Sequence, residues 1–510
     1  MILRQHFKYL LFFLVLIMVL YSPSYDCGFF SDDYIGLDRY QEQGLLGFKN
    51  NFNDRFFLPV AYLFQVIELF LFGKNYFFYH LTNILLFALS TNILRICIAE
   101  SGFFNNPVDK QKVSFLAALI FAVIPYQTET VNWYSSQAYL ISVLFTLISA
   151  YYLIQHTKKR RWSLTIHFIF LFLAISAKEI ALTTPLIFII YLHKLNMHSR
   201  SFLIKYTIYC VVVLSLYFIW RVISLGEIIG GYGQDVHLNV DVKLLSFNFA
   251  SYLSKFFLYH RYFEEWIRIV VSISVVLIGG FYILKGIIRK RPDHKLNPVI
   301  RLLPLFFCFV LSVLPVLNLE TSFLHSIQSD RYGYFPSIFF AVIVAILFQK
   351  IKLNWYRNTL TFCFLSLNIY LCIKDNIYWK DAGNYRDNYI IGLRSINDKN
   401  TLVLNVADNY NGIYIFRNGL NRCLAMNNIK CRPTIAVAQE VLPSQSYDVF
   451  RSNRNVFFAT KPGVIYSVFS KNKLDEFNVQ FQENNKAKIT LRSENLKKVT
   501  YFNGREFIDF

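Results

Sequence analysis

Apolar runs of about 16–22 residues recur from the N-terminus to about residue 375, with polar residues gathered in the short stretches between them. Runs of this length are the mark of helices that cross a bilayer. The first covers roughly residues 8–24, and others lie near 76–95, 113–127, 137–155, 163–178, 180–194, 206–224, 267–285, 302–318, 333–350 and 358–374. The pattern predicts a polytopic α-helical membrane protein with about eleven transmembrane helices. Ser22-Pro23-Ser24 is a poor small-residue cleavage site and more spans follow, so the first helix is expected to be retained. The segment 56–73 is apolar enough to span but carries Pro59 and Glu68. It is expected to lie along the outer membrane surface, or to re-enter partway, within a first outer loop covering 25–75.

Beyond residue 375 the pattern changes. Thr401-Leu402-Val403-Leu404-Asn405-Val406 and Ala487-Lys488-Ile489-Thr490-Leu491 alternate as strands do, and Asn409-Tyr410-Asn411-Gly412 has the composition of a turn. The expectation is a catalytic membrane domain over 1–375 and a small α/β domain over 376–510, outside the membrane on the extracytoplasmic side. At about 135 residues the second is of ordinary size for an independent domain. It contains no 20–50-residue repeat.

Composition alters the picture in two places. A net charge of +20 would suggest nucleic acid in a soluble protein. Here the basic residues cluster between spans, as in Lys158-Lys159-Arg160-Arg161 and Arg289-Lys290-Arg291, where they set topology. With no nucleic-acid motif present, that partner is excluded. Of the eight cysteines, Cys423 and Cys431 lie in the polar C-terminal part. They are either disulfide-bonded or free, and no cysteine spacing matches a zinc site.

Arg4 and Lys8 precede the first helix, which places the N-terminus in the cytoplasm and the chain after the helix outside. If 56–73 does not cross, the basic loops alternate onto the cytoplasmic side. Asp32, Asp33, Arg55, Glu129, Lys178, Glu179, Arg221, Glu320, Asp330 and Arg331 then share the outer side. Ionisable residues at helix ends can simply snorkel. A recurrent set of acids and bases on one face points instead to a site that opens outward.

Several stretches carry a family pattern. Asp32-Asp33 follows the first helix, Arg55-Phe-Phe-Leu-Pro59 opens the surface segment, and Tyr79-His80-Leu81-Thr82-Asn83 opens the next span. Pro125-Tyr-Gln-Thr-Glu129-Thr-Val-Asn-Trp133 closes a span, Ser176-Ala177-Lys178-Glu179-Ile180 bridges two, and Asp330-Arg331-Tyr332-Gly333-Tyr334-Phe335-Pro336 enters another. In order and spacing these resemble the membrane region of the GT-C glycosyltransferases. The likeness is to the transmembrane-and-TPR O-mannosyltransferases and, more distantly, to the protein O-mannosyltransferases. TPR helices are lacking here, so the acceptor does not carry over.

The resemblance implies a GT-C fold and transfer of a sugar, with inversion, from a polyprenyl-phosphate-linked donor to a protein, lipid or glycan acceptor at the outer face of a membrane. Asp32 matches the first acid of the family's pair and would be the general base, with Asp33 supporting it. Loop capping is the plain alternative for both. Displacement at the anomeric carbon also needs positive charge on the departing phosphate. Lys178 suits that as a point charge and Arg331 as a bidentate donor; an ion pair and a helix-end anchor are their alternatives. Arg55 could meet the phosphate or hold the first loop. Glu129 could shape the pocket or cap a helix, and Glu179 pairs with Lys178 or faces substrate. His80 and Asn83, one turn apart, could face the site or bond between helices. Trp133, Tyr134 and Tyr332 could stack on sugar faces or belong to an aromatic belt. No organic cofactor is implied. Asp32 and Asp33 with Glu129 or Glu320 could hold a divalent cation, but the spacing is not a metal motif and no metal is assigned.

Two other classes compete, a cell-envelope polysaccharide polymerase or ligase and a transporter. Against the latter, the ionisable residues gather at one face rather than at the bilayer midplane. The abundance of Phe, Ile, Lys and Asn points to a bacterial plasma (inner) membrane.

Overall fold

The computed structural model describes residues 2–44, 57–102, 106–160, 162–195, 200–228, 241–259, 266–268, 270–274, 277, 302–318, 327–396, 401–429, 433–470, 476–482, 485–492 and 498–509. Two compact units emerge. One comprises residues 1–22 and 43–375, the other residues 23–42 and 376–510.

The first unit is helical, and its long helices are apolar. Five helical segments are long and apolar enough to cross a membrane: His6–Ser24, Tyr76–Glu100, Tyr134–Thr157, Arg200–Leu225 and Asn354–Ser395, the last running on beyond this unit. A sixth is added if Val108–Val123 and Pro125–Asn132, bent by 59° at their junction, count as one span. This corrects the expectation of about eleven transmembrane helices: among the described residues there are five, or six with the bent pair, as befits a multi-pass membrane protein.

The reason lies in breaks that hydropathy does not register. Pro125 has no N–H to continue the helix that ends at Val123. Lys178, with extended backbone (φ −159°, ψ 138°), separates Ser163–Ala177 from a 3₁₀ turn over Glu179–Thr183. Leu303–Val313 passes into another 3₁₀ turn at Leu314–Val316. At 1.5 Å per residue, helices of 15, 12 and 11 residues such as Ser163–Ala177, Thr184–Leu195 and Leu303–Val313 span only about 16–23 Å, against a hydrocarbon core of about 30 Å. Pro59–Phe72, the expected surface segment, is likewise a short apolar helix. The expected span at 267–285 falls mostly outside the described residues.

Packing inside this unit follows the helical period. Leu171, Ala174 and Ile175 are buried with Tyr206, Cys210 and Tyr217, while Ile208, Val212, Ile219 and Ile223 of the same Arg200–Leu225 helix stay exposed. An outward apolar stripe on an otherwise packed helix is what contact with lipid requires.

In the second unit, two sheets enclose a core. A mixed sheet runs β10-β9-β1-β3-β6, with the short β2 (Ile413–Tyr414) on β1. Its centre is β1 (Thr401–Tyr410), parallel to β3 (Thr434–Val441) and β9 (Lys498–Phe502); β6 (Ile465–Val468) and β10 (Phe507–Asp509) join antiparallel. An antiparallel sheet runs β4-β5-β8-β7, from Ser446–Ser452 through Asn455–Lys461 and Lys486–Leu491 to Phe477–Gln482. The strands expected at 401–406 and 487–491 belong to β1 and β8. Period-2 alternation puts Leu402 and Leu404 into a core with Phe458, Ala487 and Ile489. Tyr389, from the helix that ends at Ser395, packs on Phe502 and Phe507 and donates its hydroxyl to Asn405 O at 3.2 Å.

Candidate functional site

Helix breaks deliver Glu129, Lys178, Glu179 and Arg331, while Arg221 and Lys255 project from helices. Glu129 sits on the five-residue helix Thr128–Asn132 beyond the Pro125 break. Arg331 lies in the 3₁₀ turn Ile327–Gly333, just ahead of the helix that starts at Pro336. Arg331 donates its backbone N–H to Glu129 Oε2 and its Nη1 to Oε1, both at 2.6 Å. Two charge-assisted bonds from one residue fix the carboxylate and the guanidinium together. Gly333 permits the turn: a Cβ there would lie 1.2 Å from the Tyr126 ring.

The guanidinium of Arg331 lies over two rings, 4.7 Å from the centroid of Tyr332 and 4.9 Å from that of Trp133. Tyr332 meets Tyr139 edge-on at 5.9 Å. Lys178 Nζ lies 5.2 Å from the Tyr139 centroid. Lys178 is also paired with Glu179 at 3.3 Å, and Glu179 accepts from Arg221 at 3.0 Å. Two cations more than 150 residues apart in sequence thus flank one aromatic pair. Cation–π attraction of about 0.5–2 kcal/mol apiece helps hold them there. Taken together, Lys178, Arg221 and Arg331 against Glu129 and Glu179 leave a formal charge of +1.

Behind this cluster runs a buried polar chain. Lys255 pairs with Asp330 at 3.3 Å and donates to Ser329 at 3.0 Å. The Tyr259 hydroxyl lies 3.1 Å from Asp330 Oδ2 and 3.0 Å from Asp375 Oδ2. Thr128 donates to the same Asp375 oxygen. The chain therefore ends on the neighbours of both Arg331 and Glu129.

His80 and Asn83 lie on the other flank of the Thr128–Asn132 helix. Asn83 donates to Val131 O at 3.0 Å and accepts from Gln137 at 3.0 Å, while Gln137 also donates to Glu68 at 2.9 Å. The His80 ring stacks on Tyr76, whose hydroxyl donates to Asn132 O at 2.9 Å. These contacts brace the short helix that carries Glu129.

The acid pair belongs to the second unit, at the start of the helix Asp32–Gln43. Its two members differ. Asp33 is fully buried, and Oδ2 accepts the N–H of Phe30 at 2.9 Å, closing the turn before the helix. Asp32 is half-buried, and Oδ1 accepts from Asn418 Nδ2 at 2.8 Å. Arg386 holds the preceding loop by donating from Nη1 to Cys27 O at 2.7 Å and Phe29 O at 2.6 Å.

Three expected residues lie outside the described residues: Arg55, Glu320 and Cys431. Among the described residues no group of three His, Cys, Asp or Glu side chains is placed to hold a metal ion. Sequence inspection did not single out Tyr139, Lys255, Tyr259 or Asp375. For Lys255 and Asp375 the available signal was the rule that a charge in an apolar surround needs an opposite partner.

The long apolar helices of the first unit define the general class, a multi-pass membrane protein. No family model matches the chain. The human protein O-mannosyl-transferase TMTC1 is 29% identical over 122 residues, which is 24% of this chain and 12% of that protein. The archaeal oligosaccharyltransferase AglB from Archaeoglobus fulgidus, solved with an inhibitory peptide and a dolichol-phosphate, matches with a TM-score of 0.37 and 10% identity. That alignment covers 83% of this chain and 60% of AglB. Neither likeness assigns the chain to a family.

Proposed function

We propose that this protein is a membrane glycosyltransferase that moves a sugar from a polyprenyl-phosphate donor to an acceptor hydroxyl on the extracytoplasmic face. The observation that carries this reading is the convergence of Lys178 and Arg331 on the Tyr139–Tyr332 pair. Such a site offers positive charge to a phosphate and ring faces to a sugar at the same place. The sequence match to an O-mannosyl-transferase over 122 residues supports the same class. Arg4 and Lys8 at the N-terminal end of the first helix favour the outer side for the chain that follows.

In this reading the acceptor oxygen attacks the anomeric carbon as the bond from that carbon to the phosphate oxygen breaks. The acceptor proton passes to the Asp32 carboxylate, and the polyprenyl phosphate leaves with the bonding electron pair. Lys178 and Arg331 stabilise the charge that builds on its oxygens. Glu129 fixes Arg331 in place, and the reaction inverts the anomeric centre. Asp32, less buried than Asp33 and not engaged in closing the turn, is the better base of the two.

The test is donor consumption by purified protein offered a panel of radiolabelled polyprenyl-phosphate sugars with membrane extract as acceptor. Transfer by the wild type, lost in a folded Asp32→Asn protein, is the expected result. Transfer that survives this substitution would move the base elsewhere. Failure of the wild type with every donor would overturn the reading.

A further inference from the structure

The described hydrogen-bond partner of Asp32 is Asn418, in the same unit. The loop and helix 23–42 share one compact unit with residues 376–510, and around Asp32 the contacts run to the 415–422 segment of the β-rich domain. Ser31 N–H donates to Ile415 O at 2.9 Å, and Asn418 N–H donates to Ser31 Oγ at 3.2 Å. Asn418 Nδ2 then donates to Asp32 Oδ1 at 2.8 Å. Gly419, at φ +80°, closes the fit, since a Cβ there would lie 2.5 Å from Ser31 O. One turn further on, Arg422 pairs with Asp38 on the Asp32–Gln43 helix.

We propose that the C-terminal domain is part of the acid site, with Asn418 as the positioning residue that holds the Asp32 carboxylate. A carboxylate that acts as a base is most effective when one oxygen is anchored and the other is left to the incoming hydroxyl. Asn418 supplies that anchor. Its backbone is fixed by Ser31, so the amide reaches Asp32 from a set direction. The bond itself is exposed to solvent, and Asn418 also lines a groove of about 410 Å³ with Ile35 and Phe416. Nothing else about Asn418 demands an amide. Its side chain is exposed and fills no core, so Asn418→Ala should lower the rate without lowering the melting temperature.

This assignment rests on the transferase reading, and the experiment separates the two. Full-length wild type, Asn418→Ala, Asn418→Ser and Asp32→Asn proteins are compared for transfer kinetics and apparent melting temperature. The expected result for Asn418→Ala is a fall in kcat of about tenfold, the loss of one hydrogen bond to a charged group. The KM for donor and the melting temperature stay unchanged, and Asn418→Ser, which keeps a donor, recovers part of the rate. Wild-type kcat in Asn418→Ala, alongside an inactive Asp32→Asn, would overturn the assignment and leave the transferase reading intact. A drop in melting temperature that accounts for the lost rate would also overturn it, making Asn418 structural. An inactive wild type would overturn the transferase reading, and this assignment with it.

Discussion

The two units place their ionisable residues by different means. In the helical unit the cluster is tied mainly by ion pairs between segments distant in sequence: Arg331 to Glu129, Lys255 to Asp330, Glu179 to Arg221. In the second unit the acid loop is held chiefly through its backbone, by Arg386 on the Cys27 and Phe29 carbonyls and by Asp33 on the Phe30 N–H. The difference follows from the surroundings. A charge among packed apolar helices must find an opposite charge, because no water completes its shell. A loop in a water-exposed domain needs only its orphan backbone groups satisfied. Long-range pairs therefore report on packing, whereas the acid loop reports on local turn geometry.

The largest effect expected from this contrast is at Lys255. Lys255→Ala removes one partner of a wholly buried pair and should cost about 3–5 kcal/mol. Replacing both Lys255 and Asp330 with apolar residues of similar volume should recover most of it. The apparent melting temperatures of the three proteins in detergent check this, and a double variant no better than Lys255→Ala would mean the pair matters for more than charge. Next comes Arg386→Ala, which leaves two carbonyls without their charged donor and should cost about 2–3 kcal/mol. Its signature is loss of protease resistance around residues 23–31, with the sheets of the same unit intact.

The acid pair itself sharpens the comparison. Asp33→Ala removes the acceptor of a capping bond and should lower stability by about 1–2 kcal/mol. Asp32→Ala, at a half-buried position, should change stability by less than about 0.5 kcal/mol while abolishing transfer. The reverse pattern in melts and rates would exchange their roles. The smallest effect is at Asp408 on β1. Burial raises its carboxyl above the usual range, opposed by the Asn409 amide and Arg417. The folded state thus holds the proton to higher pH than the unfolded chain, and stability is lost as pH climbs from the ordinary carboxylate range through the folded value. Asp408→Asn should melt roughly 2 °C higher than wild type at pH 7. The gap should close below about pH 4.

How much could be read from the chain alone differs between the units for the same reason. The strands at 401–406 and 487–491 carry their own period, and so does the Asn411-Gly412 turn, where both residues have positive φ. Lys178, Arg331, Glu129, Trp133, Glu179 and Tyr332 were visible as polar or aromatic residues at the ends of apolar runs. The structure gathers them around Tyr139. Tyr139 was invisible, being one tyrosine of 34 in an apolar helix. The number of spans was misread because hydropathy averages across a break. Lys178 ends a helix without interrupting the apolar run, and the short helices on either side look like full spans. Nor did the pattern separate Asp32 from Asp33. That distinction depends on the positive φ of Ser31, which turns Phe30 N–H onto Asp33.

The central claim is that Lys178 and Arg331, each set against one ring of the Tyr139–Tyr332 pair, form one anion site. Its most direct test is the binding of a short-chain prenyl phosphate, without sugar, to wild type, Lys178→Met, Arg331→Met and the double variant by calorimetric titration. Each single substitution is predicted to weaken binding by about tenfold or more. The double variant should fall short of the product of the two, because the residues act on one phosphate. Affinity unchanged in both single variants would contradict the claim.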